Sequence, residues 1–88
     1  MFPGMARAPQ PDPVLAGVLK RLREDRGMTL ESLAFKSGVS ISSLGRIEQG
    51  HSSAAWGTVR LIINALDVSI PQLGKLIETE ERKAARAG

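Results

Sequence analysis

The segment GVSISSLGRIEQG, residues 38–50, predicts one short helix with a small and polar outer surface. Glycine bounds this helix at both ends, and Leu44 and Ile47 supply its apolar side. The outward-facing positions are then Ile41, Ser42, Gly45 and Arg46. The hydroxyl groups and the guanidinium on this surface can form hydrogen bonds with polar groups of a partner. The glycine inside the helix costs about 1 kcal/mol of stability relative to alanine. A helix surface that gives up stability in this way indicates that a partner approaches it closely.

The chain has no pattern typical of a catalytic or metal site. His51 is the one histidine and there is no cysteine, so we expect no metal site, no disulfide and no cofactor. No nucleophile is paired with a base, and no glycine-rich loop is placed to hold phosphate. An enzyme is therefore not expected, and His51 is more simply a solvated residue or one beside a phosphate.

Length and composition limit the remaining possibilities. The 88 residues are 42% hydrophobic and include two Phe, one Trp and no Tyr, which predicts one small domain with an aliphatic core. The net charge of +3 is compatible with a polyanionic partner without indicating one. No stretch approaches the roughly 20 apolar residues of a membrane span, and the N-terminus lacks the apolar region of a signal peptide. We expect a cytoplasmic protein with no membrane association.

Capping residues and apolar spacing predict an all-α fold, a compact domain of five helices. The expected ranges are 13–26, 30–37, 41–49, 56–66 and 70–79. The expected caps are Asp12, Thr29, Ser40 and the Ser69–Gln72 capping box. The expected inward positions are Leu15, Val18, Leu19, Leu22, Leu30, Leu33, Ala34, Leu44, Ile47, Trp56, Val59, Ile62, Ile63, Leu66, Ile70, Leu73, Leu76 and Ile77.

The distribution of proline and charge divides the chain into three parts. Residues 1–12 are proline-rich and have no apolar period, which predicts a flexible N-terminal arm. Residues 13–74 form the helical domain. Residues 75–88 are rich in charge and alanine and predict a C-terminal helical extension or tail.

The connection between the second and third helices is unusually short. The run KSGVS leaves only about three or four residues for the corner, with Gly38 free to adopt positive φ. Val39 is expected to point into the angle between the helices. Such a corner predicts a helix-turn-helix, in which the second helix lies in the DNA major groove. A structural corner without DNA contact is the alternative.

Within residues 15–73 the chain resembles the Cro-type repressor family of DNA-binding domains (the Xre family). The resemblance rests on LKRLREDRGMTLESLAFKSGVS, SLGRIEQG and TVRLIINALDVSIPQL, in that order. It implies a lambda-repressor-like fold and base reading by Ile41, Ser42 and Arg46. It implies contacts to the DNA backbone from Thr29, Ser40, Ser43, Gln49, His51 and Ser52. Independently, an arginine at position 46 can donate two hydrogen bonds to guanine, and Ile41 can pack on a thymine methyl group.

The same resemblance pairs Arg23 with Glu48 as a link between the first and third helices. We favour a partly buried structural ion pair over a catalytic carboxylate. The chain also departs from the family pattern, because Leu30 replaces a phosphate-binding glutamine and Ala54-Ala55 replaces Pro-Ser before the fourth helix. As a consequence, we expect the domain to bind DNA phosphates only modestly.

The expected function is sequence-specific transcription regulation, as a repressor that binds a two-fold operator as a homodimer. Leu76 and Ile77 exceed the needs of a minimal core, so the dimer surface is expected near the fifth helix; the alternative is that they complete the core. One alternative function is an antitoxin-type protein that binds a partner protein through residues 75–88. Another is a DNA-binding module whose regulatory domain is separate.

Overall fold

The computed structural model describes residues 10–87, and these form five helices without a strand. In chain order the helices are α1 (Pro13–Asp25), α2 (Leu30–Ser37), α3 (Ile41–Glu48), α4 (Trp56–Ala65) and α5 (Ile70–Ala87). The all-α architecture predicted from the sequence is confirmed. Residues 1–9 of the predicted flexible arm lie outside the described residues.

The end of the fifth helix lies beyond the expected range, within the segment for which a helical extension or a tail was predicted. We expected it near residue 79, whereas α5 continues to Ala87. Its second half consists largely of Ala, Glu, Lys and Arg, which are strong helix formers with no reason to break the helix. An ion pair between Arg21 of α1 and Glu80 of α5, at 3.6 Å, links this extension to the domain.

The predicted helix caps are confirmed. The Asp12 carboxylate accepts hydrogen bonds from the first turn of α1, and the Thr29 hydroxyl accepts from the first turn of α2. At α5, the Ser69 amide donates to Gln72 Oε1 at 2.8 Å and the Gln72 amide donates to Ser69 Oγ at 3.2 Å. Helix α4 follows Ala55 without a side-chain cap, as the sequence predicted.

The core is a single aliphatic cluster. Helix α1 packs on α3 and α5, α2 packs on α3 and α4, and α4 packs on α5. The buried members of the cluster are Val18, Leu19, Leu22, Leu33, Leu44, Ile47, Val59, Ile62, Ile63, Ala65, Leu66, Val68 and Leu73. A hydrogen bond also joins the ends of α1 and α4, because Arg26 Nε donates to the Leu66 carbonyl at 2.6 Å.

Three expected core residues are instead exposed. The exposed fractions are 55% for Trp56, 49% for Ile70 and 39% for Leu76. Trp56 and Ile70 are the first residues of α4 and α5, where a side chain points back toward the helix N-terminus and away from the following turns of its own helix. Leu76 lines a groove between α1 and α5.

The turn after α4 contains a non-glycine residue in the left-handed region. Asp67 has φ of 63°, and the turn is closed by hydrogen bonds from its amide to Asn64 O at 3.1 Å and from Val68 N to Ile63 O at 2.9 Å. This is the bonding pattern that glycine usually provides at a helix end. Aspartate tolerates the conformation better than most residues.

Candidate nucleic-acid interface

The corner between α2 and α3 consists of residues 38–40. Gly38 has φ of 77° and donates its amide hydrogen to Ala34 O at 2.9 Å, which ends α2. The buried Ser37 hydroxyl accepts a hydrogen bond from Val39 N at 3.1 Å, and Val39 itself packs against the core. The corner is thereby fixed by a polar contact that sequence reasoning missed, because Ser37 has no distinguishing pattern around it.

Helix α3 presents two opposite faces. Leu44 and Ile47 are buried, at 1% and 6% exposed, whereas Ser42 and Arg46 are exposed and Ile41 is 43% exposed. A Cβ atom added to Gly45 would meet nothing within 4 Å, so the packing of the domain does not demand glycine there. The three residues expected to read bases therefore lie on the accessible side of one helix.

The start of α3 is suited to an anion. Ser40 Oγ accepts from Ser43 N at 3.2 Å and donates its own hydrogen to Ser43 Oγ at 2.8 Å. In this arrangement Ser43 Oγ accepts from Ser40 and keeps its own hydrogen for another acceptor. Unpaired amides and the helix dipole favour negative charge at the same end.

The end of α3 turns the chain back on the helix. Gly50 has φ of 75°, its amide donates to Ile47 O at 3.1 Å, and His51 N donates to Arg46 O at 2.9 Å. This reversal places Ser52 beside Arg46, where Arg46 Nε donates to Ser52 Oγ at 3.0 Å. No sequence pattern predicts this contact, although the glycine at position 50 indicates that the chain reverses after α3.

The residues expected at the DNA backbone fall into three places. Thr29 is exposed at the start of α2, and its hydroxyl accepts from Ser32 N at 3.0 Å. Ser40 and Ser43 are at the start of α3. The group after that helix consists of Gln49, His51 and Ser52, of which Ser52 is half-buried.

Arg23 and Glu48 form a bidentate pair beneath this surface. Arg23 Nε donates to Glu48 Oε2 at 2.8 Å and Nη2 donates to Oε1 at 3.0 Å, while Nη1 donates to Met28 O at 2.7 Å. Their side chains are 12% and 6% exposed. The hydrogen bond to Glu48 raises the pKa of Arg23 above its ordinary value, although burial acts in the opposite direction. The pair holds the last residue of α3 against α1.

Neither a metal-binding cluster nor a membrane-spanning helix occurs in the described part of the chain, residues 10–87. It contains no group of three or more His, Cys, Asp or Glu residues placed to hold a metal ion. None of its helices combines the length and the apolar character needed to cross a membrane.

Comparison with known proteins identifies sequence relatives. The profile of the helix-turn-helix domain family matches residues 14–76. The HTH-type transcriptional regulator SutR of Escherichia coli strain K12 is 43% identical over 54 residues, which are 61% of this chain. The match spans only 30% of the length of SutR.

Solved structures with the same fold include restriction-modification controller proteins. Wild-type C.Esp1396I is 28% identical with a TM-score of 0.78, covering 81% of this chain and 92% of that one. C.AhdI from Aeromonas hydrophila is 30% identical with a TM-score of 0.66, covering 69% and 92%. The C.Esp1396I tetramer in complex with its natural 35 base-pair operator matches with a TM-score of 0.75 at 28% identity, covering 77% and 90%.

Proposed function

This chain belongs to the helix-turn-helix domain family, of the Xre (Cro-type) kind that its sequence resembles, and we propose that it is a sequence-specific DNA-binding transcription regulator. The observation that supports this most strongly is the two-sided character of α3, with one face buried and the other small, polar and accessible. Such a helix enters the major groove while α2 crosses the backbone. The proposal includes no enzymatic activity, and it places the protein with DNA in the cytoplasm.

Base reading is assigned to Ile41, Ser42 and Arg46. The guanidinium of Arg46 donates two hydrogen bonds to guanine O6 and N7, which is the commonest specific contact in the major groove. Ile41 packs on a thymine methyl group, and Ser42 donates or accepts according to the base it meets. The absence of a side chain at Gly45 allows the groove to approach between them.

Contacts to the DNA backbone are assigned to the residues at the two ends of the reading face. Thr29, Ser40 and Ser43 lie at helix N-termini, where amides and dipoles favour phosphate. Gln49, His51 and Ser52 follow α3 on the other side. These contacts fix the register of the helix in the groove and carry no direct sequence information.

We infer that two copies bind a two-fold operator, with half-sites about 34 Å apart. A single module with net charge +3 makes few phosphate contacts, whereas specific affinities of about 10⁻⁸ M or better need many. The pairing surface is the groove between α1 and α5, where Val14 and Leu76 are part of an apolar lining. The charged residues that also line this groove are Arg21, Asp25, Glu80 and Lys83. Ile77 packs against the core and completes it.

The alternative of a partner protein bound through residues 75–88 gains no specific support. That segment is helical through Ala87, and the Arg21–Glu80 ion pair connects it to α1. We therefore treat it as an extension of the domain.

Selection of bound fragments from random DNA with the full chain tests the proposal. The expected result is enrichment of one motif with two-fold symmetry. Recovery of fragments with no shared motif, at concentrations where the protein retains them, contradicts it.

A further inference from the structure

Among residues 10–87, the Arg46 side chain has a hydrogen-bond partner at one nitrogen only. Its Nε donates to Ser52 Oγ at 3.0 Å. A guanidinium carries five N–H donors, one on Nε and four on the terminal nitrogens. The contact with Ser52 therefore uses the Nε–H group and leaves the N–H groups of Nη1 and Nη2 for an acceptor on a bound partner.

The backbone brings the same two residues together. Residue 50 adopts positive φ, and His51 N donates to the Arg46 carbonyl at 2.9 Å. Arg46 is thus contacted by the returning loop at its backbone and, one residue later, at its side chain. The position of Ser52 follows from how α3 ends and does not depend on DNA.

Restraint of this side chain before binding has a consequence for recognition. A free arginine on a surface samples many rotamers, and fixing one of them on binding costs conformational entropy. A guanidinium already anchored at Nε presents its terminal nitrogens in a limited set of directions. Discrimination between bases depends on these directions, because the two donors must match O6 and N7 of one guanine.

We propose that Ser52 is a positioning residue for base recognition, whose hydroxyl holds Arg46 so that its terminal nitrogens meet one guanine. This inference rests on the proposed function. It adds an effect on sequence preference to the backbone contact assigned to Ser52 above, since a hydroxyl that accepts from Arg46 can still donate its own hydrogen to a phosphate, and that phosphate contact affects all sequences alike.

The test compares variants on an operator and on its single-base-pair substitutions. Ser52→Ala is expected to reduce the preference for guanine about three- to tenfold, at the same base pair whose preference Arg46→Ala relaxes. Ser52→Thr keeps the hydroxyl and is expected to keep the preference. Ser53→Ala removes the same group one residue along the loop and serves as the matched control.

The inference is overturned if Ser52→Ala leaves the preference at the Arg46 base pair unchanged. This includes the case in which the variant weakens binding to all operator variants by the same factor. Failure of the proposed function looks different, because the wild-type protein would then show no preference among the DNA variants.

A measurement without DNA tests the positioning itself. Nitrogen-15 relaxation of the Arg46 Nε–H group reports how restricted that side chain is in the free protein. Ser52→Ala is expected to lower its order parameter, and Ser53→Ala is expected to leave it unchanged. An order parameter that Ser52→Ala does not alter contradicts the inference.

Discussion

Arg23 and Glu48 join α1 to the last residue of α3 through two hydrogen bonds of 2.8 and 3.0 Å. Both side chains are largely buried, and Arg23 also donates to the Met28 carbonyl in the turn that follows α1. One arginine therefore fixes both the end of α3 and the approach to α2. The orientation of α3 depends on residues that lie outside its exposed face.

Removal of either partner of this pair is expected to destabilise the free protein. Arg23→Ala leaves a buried carboxylate without its charge partner, at a cost of about 3–5 kcal/mol in the free energy of unfolding. The double variant with Glu48→Ala is expected to cost less than the sum of the single variants, measured by urea denaturation. Arg21→Ala removes an exposed ion pair and is the control, with a much smaller expected effect. Strict additivity of the two single variants would show that the residues do not interact.

Gly45→Ala is expected to separate folding from DNA binding. The change replaces a glycine inside a helix by alanine, and the added Cβ meets nothing within 4 Å. It is therefore expected to stabilise the free protein by about 0.5–1 kcal/mol. The same methyl group projects from the face proposed to enter the groove, so operator affinity is expected to fall. Gly74→Ala in α5, also with open space around the new Cβ, is the control that should stabilise without weakening binding. Unchanged operator affinity in Gly45→Ala contradicts the close approach of DNA to α3.

The turn at Asp67 offers a stability prediction independent of DNA. Its φ of 63° is costly for residues with a Cβ atom, by about 1–2 kcal/mol for a typical one. Asp67→Gly is expected to raise the thermal midpoint, and Asp67→Val is expected to lower it, in calorimetry of the free protein. A lower thermal midpoint for Asp67→Gly than for the wild-type protein would contradict the left-handed conformation of residue 67.

The pairing surface is tested by placing a charge in the groove between α1 and α5. Leu76→Glu puts a carboxylate on an apolar residue that is 39% exposed, and the protein is expected to sediment as a monomer with weaker operator binding. Phe35→Glu is the control, because it changes a residue of α2 that is 92% exposed and lies outside this groove. The Phe35→Glu protein is expected to remain a dimer. If the Leu76→Glu protein still dimerises fully, the interface lies elsewhere.

The features predicted correctly from the sequence are mostly local. The caps at Asp12 and Ser69 involve residues two or three positions apart, so residue type and spacing suffice. Trp56 was misplaced because periodicity assigns a side to each residue but does not say how far the neighbouring helices extend. The contact between Arg46 and Ser52 depends on the path of the chain after α3, which spacing alone does not specify.

Binding titrations of Arg46→Ala across single-base-pair variants of the operator are the sharpest test of base reading by the outer face of α3. If the outer face of α3 reads the sequence, this change costs about 1–3 kcal/mol and relaxes the preference at one base pair, while Ser43→Ala weakens all variants alike. Equal weakening of every variant by Arg46→Ala would make Arg46 a phosphate contact and contradict the account.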